Sequence, residues 1–260
     1  MSTNGIFRRH KNGSTFAGVP YHPEKKPASD DTISASAVQR VFSDCEDFAL
    51  RPVWPGGIQT EGVSACWIDG LVSGKAVSAD VLRPLTDDRL GAAKDAREAE
   101  QLLLRGAVWS NNAKRRTAMD ELVQDLTAGY CAVIFDATGE AITFETKTEN
   151  VRSVDQPTVE KSVKGGKDAF TETLRMNTGL IRRRIHSPAL KLQQLTVGRK
   201  SGTAVGVFWL DGVANPETLS ELRSRIDAID IDGLVSAGSL EQYIVDRPAS
   251  PFPQLLHTER

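Results

Sequence analysis

CWIDGLVS (66–73) and FWLDGVAN (208–215) are the two stretches whose comparison decides the fold. In each, a tryptophan and one further apolar residue run into Asp-Gly, a pair suited to a backbone that reverses or visits positive φ. The string IDGLVS occurs twice, at 68–73 and 231–236, but the second copy follows a helical pattern with no apolar strand ahead of it. Sliding the chain by 142 residues gives a better match, without a gap. It lays the helical pattern 35–42 over 177–184, strand 48–53 over 190–195, Trp67 over Trp209, Asp69 over Asp211 and Gly70 over Gly212. Agreement of order, spacing and turn chemistry is the mark of a duplicated unit. The expected architecture is α/β: two related subdomains, 35–150 and 151–260, each a small mixed sheet flanked by helices, preceded by a disordered tail at 1–34.

Composition narrows the class. With 40% hydrophobic residues the chain can bury a core, and a formal net charge of −2 provides no global basic field to capture nucleic acid. Cys45, Cys66 and Cys131 are widely spaced, and two of them sit in the apolar runs ACWI and YCAVIF, as small buried thiols do. The longest apolar runs, AVGVFWL (204–210) and YCAVIF (130–135), fall far short of the ~20 residues of a membrane helix. The N-terminus has basic residues but no apolar stretch after them, so no secretory signal is expected.

Periodicity supplies the elements. Helices are expected at 35–42, 78–85, 92–106, 117–129, 168–185, 216–226 and 239–245, and strands at 47–53, 63–68, 107–109, 190–197 and 203–210. YCAVIF-DATG-EAITFET is the clearest hairpin, and the polar stretch 147–167 reads as a crossing segment. Phe170, Leu174, Ile181 and Ile185 fall on one stripe of the 168–185 helix.

No chemistry-bearing pattern completes itself. The histidines at 10, 22, 186 and 257 have no metal-ligand spacing, and DAIDIDG places Ala228 where a calcium loop needs its first acidic ligand. VGRKSGT (197–203) and VKGGKD (163–168) miss the phosphate-cradling spacing, and neither GLVSG nor GRKSG is a nucleophile elbow. No cofactor and no catalytic residue is expected. The run IRRRI (181–185) stands out: successive helix residues point ~100° apart, so Arg182, Arg183 and Arg184 cannot share a face. They suit the negative end of a helix dipole, and equally a set of bidentate contacts to carboxylates at the subdomain junction or on a partner.

The second half resembles the soluble N-terminal region of the GerA-type spore germination receptor A subunit. FTE-x-L-x-x-N-x-x-L-I-R-R-R-I, the DG-x-AN turn at Asp211 and Gly212, and the ending SPFPQ-x-x-x-TER with Glu259 and Arg260 carry the likeness. DF-x-x-R (47–51) and WIDGLV (67–72) extend it more loosely over the first half, while VKGGKDAF replaces the family's VRGPREGF-like stretch. Arg182, Arg183, Arg184, Asp211, Gly212, Glu259 and Arg260 are thus the candidate interaction residues. The resemblance implies a subunit of a nutrient-responsive complex in the spore inner membrane, with this region soluble and on the core side. The implied partners are a transporter-like B subunit and a lipoprotein C subunit, with self-association as a further option and membrane contact only through a region absent from this chain. The function expected is receptor assembly and signal coupling without catalysis. The alternative is a small-molecule (nutrient) binding module with its ligand between the two subdomains. A phosphate-ester enzyme is disfavoured, because the glycine loops fail their spacing.

Overall fold

The computed structural model describes residues 32–55, 62–86, 93, 95–107, 113–148, 168–246, 255, 256 and 258. Of the expected tail, residues 1–31 lie outside that set, whereas Ile33 is fully buried and Ser34 caps the first helix. Ser34 Oγ accepts from Ala37 N–H at the start of α1 (Ala35–Val41), which turns Ala37 and Val38 inward. Strands β1 (Phe48–Pro52) and β2 (Val63–Ile68) pair antiparallel and lead to Asp69–Gly70, with Gly70 at φ +84°. The helical run α2 follows as Gly74–Ala76, a π stretch Val77–Leu82, and Arg83–Thr86. The wider turn precedes Pro84, which has no N–H and whose ring would clash with the carbonyl four residues back. Helix α3 (Ala96–Leu102), capped by Asp95, also runs into a π turn at Leu103–Ala107. Then come β3 (Ala113–Arg116), α4 (Met119–Thr127) closed by Gly129 at φ +89°, and the hairpin β4 (Tyr130–Phe135) and β5 (Glu140–Glu145).

These strands form one sheet in the order β1-β2-β4-β5-β3 with helices on both faces. Alternate residues divide between two cores. Ala65, Trp67, Val133 and Phe135 pack with Val81 and Leu85 of α2 and Leu103, whereas Cys66, Ile68, Ala132 and Ile134 pack with Val38 of α1 and Leu122 and Leu126 of α4. Because β4 is covered on both sides it is buried throughout, which explains its unbroken apolar run. Each large side chain sealed here contributes about 1.5–3 kcal/mol.

The second unit repeats the order in miniature. Helix α5 (Leu174–Arg184) precedes the antiparallel pair β6 (Leu190–Val197) and β7 (Thr203–Leu210), then Asp211–Gly212 and α6 (Pro216–Asp227), with α7 (Ala237–Ile244) last. Val197, Val207, Ile226 and Leu234 centre its core, with Trp209, Leu222 and Leu240 packed around them. The 142-residue step holds in detail: Asp69 N–H donates to Asp47 O at 2.7 Å and Asp211 N–H to Ala189 O at 2.8 Å. Gly212, at φ +76°, matches Gly70.

Several expectations shift. The ladders within each sheet are antiparallel, and the parallel pairing among the described residues is the bridge Cys45↔Leu192 between the units. Ala107 ends a helical turn, and the rest of the strand expected at 107–109 lies outside the described residues; the next described strand is β3. Most of the crossing segment, 149–167, is also outside them. Helix α5 starts at Leu174 because Asn177 ties down the chain before it: Thr171 N–H donates to its Oδ1 and its Nδ2 donates to Thr171 O, both at 2.7 Å. The buried face of α5 is Thr178, Gly179, Leu180 and Arg182, while Phe170 and Ile185 at the ends of the expected stripe are exposed.

Candidate functional site

The junction of the two units is built on the segment just before β1. Asp44, at φ +56°, turns residues 44–46 alongside β6. Leu192 N–H donates to Asp44 O and Glu46 N–H to Leu192 O, both at 3.0 Å. Gln194 N–H donates to Glu46 Oε2 at 2.6 Å, and Lys191 Nζ to Val41 O at 3.2 Å.

Arg182 closes the junction from the other side. Its Nε and Nη2 donate to the two carboxylate oxygens of Asp47 at 2.8 and 2.7 Å, and Nη1 donates to Leu190 O at 2.6 Å. Both side chains are sealed, at 1% and 3% exposure, so the planar fork of arginine satisfies a carboxylate that water cannot reach. Burial alone would push the guanidinium down, yet the Asp47 carboxylate holds it above its ordinary value. Burial likewise raises the Cys45 thiol, whose Sγ donates to Leu190 O at 3.6 Å. Cys131, sealed in the sheet, is pushed up to about 12, so these are inert thiols.

A second contact seats α5 on the Asp69–Gly70 turn. Arg175 Nη2 donates to Asp69 Oδ1 at 2.6 Å. The backbones approach so closely that a Cβ on Gly179 would lie 2.5 Å from Gly70 O, and one on Gly70 would lie 2.8 Å from Arg175 O. The equivalent turn of the second unit has no such cover among the described residues: Asp211 is exposed, its Oδ1 accepts from Gly212 N–H at 3.1 Å, and a Cβ on Gly212 would meet none of them within 4 Å.

The three consecutive arginines therefore part company. Arg182 is interior, Arg183 is half-buried, and Arg184 is exposed with Nη2 3.4 Å from Asp168 O. Glu259 and Arg260 lie outside the described residues. Reading the sequence missed Asp47, Arg175 and Gly179 as junction residues. A signal for the first was present in DF-x-x-R: Asp47 holds Arg182, Phe48 stacks on Phe42 at 4.6 Å, and Arg51 lies over the Trp67 ring at 6.0 Å. Among the described residues no group of three or more His, Cys, Asp or Glu could hold a metal ion, and no helix is long and apolar enough to cross a membrane.

Comparison with known proteins agrees with this architecture. Residues 36–260 match the family described as Bacillus/Clostridium GerA spore germination protein. Spore germination protein KA of Bacillus subtilis is 28% identical over 82% of this chain and 39% of its own length. Spore germination protein B1 of the same organism is 31% identical over 75% of this chain and 39% of its own length. The chain thus spans about two-fifths of the length of these relatives. The crystal structure of the N-terminal domain of the A subunit of the Bacillus megaterium spore germinant receptor GerK3 superposes with a TM-score of 0.60 and 26% identity, covering 86% of this chain and 82% of that one. This chain belongs to the GerA family of spore germination proteins and has the fold of a germinant-receptor A-subunit N-terminal domain.

Proposed function

We propose that this region is a non-catalytic module of a germinant receptor in the spore inner membrane, placed on the core side, that takes part in receptor assembly and couples nutrient sensing to the membrane part. Its partners in this reading are the transporter-like B subunit and the lipoprotein C subunit. The observation that supports it most is the junction itself. Between the two units lie a sealed ion pair, a shared backbone bridge and a glycine-on-glycine contact, groups that tie the lobes together where a two-lobed binding protein holds its ligand. The module passes force or contact on as one body.

The arginines beyond Arg182 test this. Arg184 is exposed, and a surface substitution away from special features changes stability by only about 0.5 kcal/mol. In spores carrying the full-length receptor, Arg183→Ala and Arg184→Ala should lower assembled receptor and germination more than they lower the Tm of the purified region. Loss of Tm with normal assembly would reduce these residues to helix-end capping. In parallel, melting curves with saturating amino-acid and sugar germinants should stay flat, and a rise would favour a ligand between the units.

A further inference from the structure

The two Asp-Gly turns share one backbone shape and have different surroundings. Gly70 and Gly212 lie at φ +84° and +76°, and the aspartate before each donates its N–H across the strand pair, to Asp47 O or Ala189 O. The first turn is covered on both sides. Asp69 Oδ1 accepts from Arg175 Nη2 at 2.6 Å, Gly179 lies against Gly70 O, and Leu71 is 4% exposed in the core it shares with α1 and α4. Arg175 and Gly179 stand four residues apart in α5, so one helix face supplies both contacts. The guanidinium meets the carboxylate, and the missing side chain lets the two backbones touch.

Among the described residues, the three equivalents in the second turn have no such cover. Asp211 is exposed, Gly212 has room for a Cβ, and Val213, the counterpart of Leu71, is 71% exposed. The repeat holds the helix that fits such a turn twice, as α5 and as α1, and both are already used. The step of 142 residues sets Gly179 over Ala37, which is 3% exposed inside its own unit, while α5 is seated on Gly70. A second copy therefore has neither helix to offer. The sequence outside the described residues reads no better as a source. Residues 1–31 and 149–167 are polar without an apolar period, and 247–254 carries Pro248, Pro251 and Pro253. The turn calls for a helix from a different protein.

We propose that the turn Asp211 to Val213 is a docking site for a helix of a different protein, one that carries an arginine and, four residues later, a glycine. The arginine takes the Asp211 carboxylate, the glycine rests on the Gly212 backbone, and the flank of the helix covers Val213. This helix stands to the second unit as α5 stands to the first. The docking site adds a contact to the receptor reading and does not depend on it.

Photocrosslinking from the turn tests this in spores that carry the full-length protein. With the photoreactive p-benzoylphenylalanine in place of Val213, an adduct should form on a different protein, mapped by mass spectrometry to a helix that reads Arg-x-x-x-Gly. Asp211→Asn keeps the acceptor for Gly212 N–H and removes only the charge. It should lower the adduct several-fold while the purified chain keeps its circular dichroism spectrum. Asp211→Arg should abolish the adduct, and an aspartate in place of the partner helix's arginine should restore it, because the ion pair is rebuilt with its signs exchanged. That rescue separates docking from chance capture. An adduct within this chain or on a second copy overturns the proposal, as does one on a segment without the pattern, or no adduct at all. So does an adduct that ignores both Asp211 variants or is not restored by the exchange.

Discussion

Arg182, Arg183 and Arg184 are the same residue three times, and their surroundings make them three different things. Arg182→Ala leaves the Asp47 carboxylate buried without its partner, so it should cost about 3–5 kcal/mol in a urea titration, far more than Arg184→Ala. Replacing both partners, as Arg182→Met with Asp47→Leu, should recover much of that loss, because no lone charge remains inside. An Arg182→Ala protein as stable as Arg184→Ala would contradict the burial described. Glu100 is a second informative residue. Burial raises its carboxyl above the ordinary value, with the neighbouring Glu140 carboxylate adding to the shift. Glu140 itself is lowered, chiefly by the Arg115 guanidinium that donates to it. A carboxyl raised in the fold costs stability once ionised, and that cost vanishes as pH falls and the proton binds. Glu100→Gln should therefore raise Tm at neutral pH, with the gain shrinking as pH drops through the carboxylate range. A gain that is the same at acid pH would mean that charge is not its source.

At the level of elements, most of the fold was legible because helices and strands announce themselves locally. The helix 117–129, the hairpin after it and the strands at 190–197 and 203–210 appear close to where periodicity placed them. β3 was not legible: Lys114, Arg115 and Arg116 make a poor apolar alternation, and an edge strand in water needs none. The start of α5 was misread because the Asn177 clamp on Thr171 is a side-chain bond that hydrophobic spacing does not register. Its buried face was misread for a related reason, since that face is set by Gly179 and Arg182, neither of which counts as apolar. Gly179→Ala tests the contact that results. Alanine favours a helix over glycine by ~1 kcal/mol, yet its methyl would meet Gly70 O at 2.5 Å, and overpacking of this kind costs about 1–3 kcal/mol. The variant should melt lower than wild type. A higher Tm would mean that helix and turn are not in contact.

For the whole molecule, two copies of one pattern end up in unequal places. The first copy carries β3, β4 and β5 on the side of β2 where, among the described residues, no strand pairs with β7, and the first Asp-Gly turn receives α5 while Asp211 of the second is exposed. The sequence by itself determined the order of elements, the turn chemistry at Asp69–Gly70 and Asp211–Gly212, and the family likeness, since all of these lie in short-range spacing. Only the tertiary structure decided that Arg182 meets Asp47, 135 residues away, and that Gly179 lies on Gly70. Such pairings are fixed by how two packed units fit, and a partner so distant leaves no period or spacing in the chain to mark it.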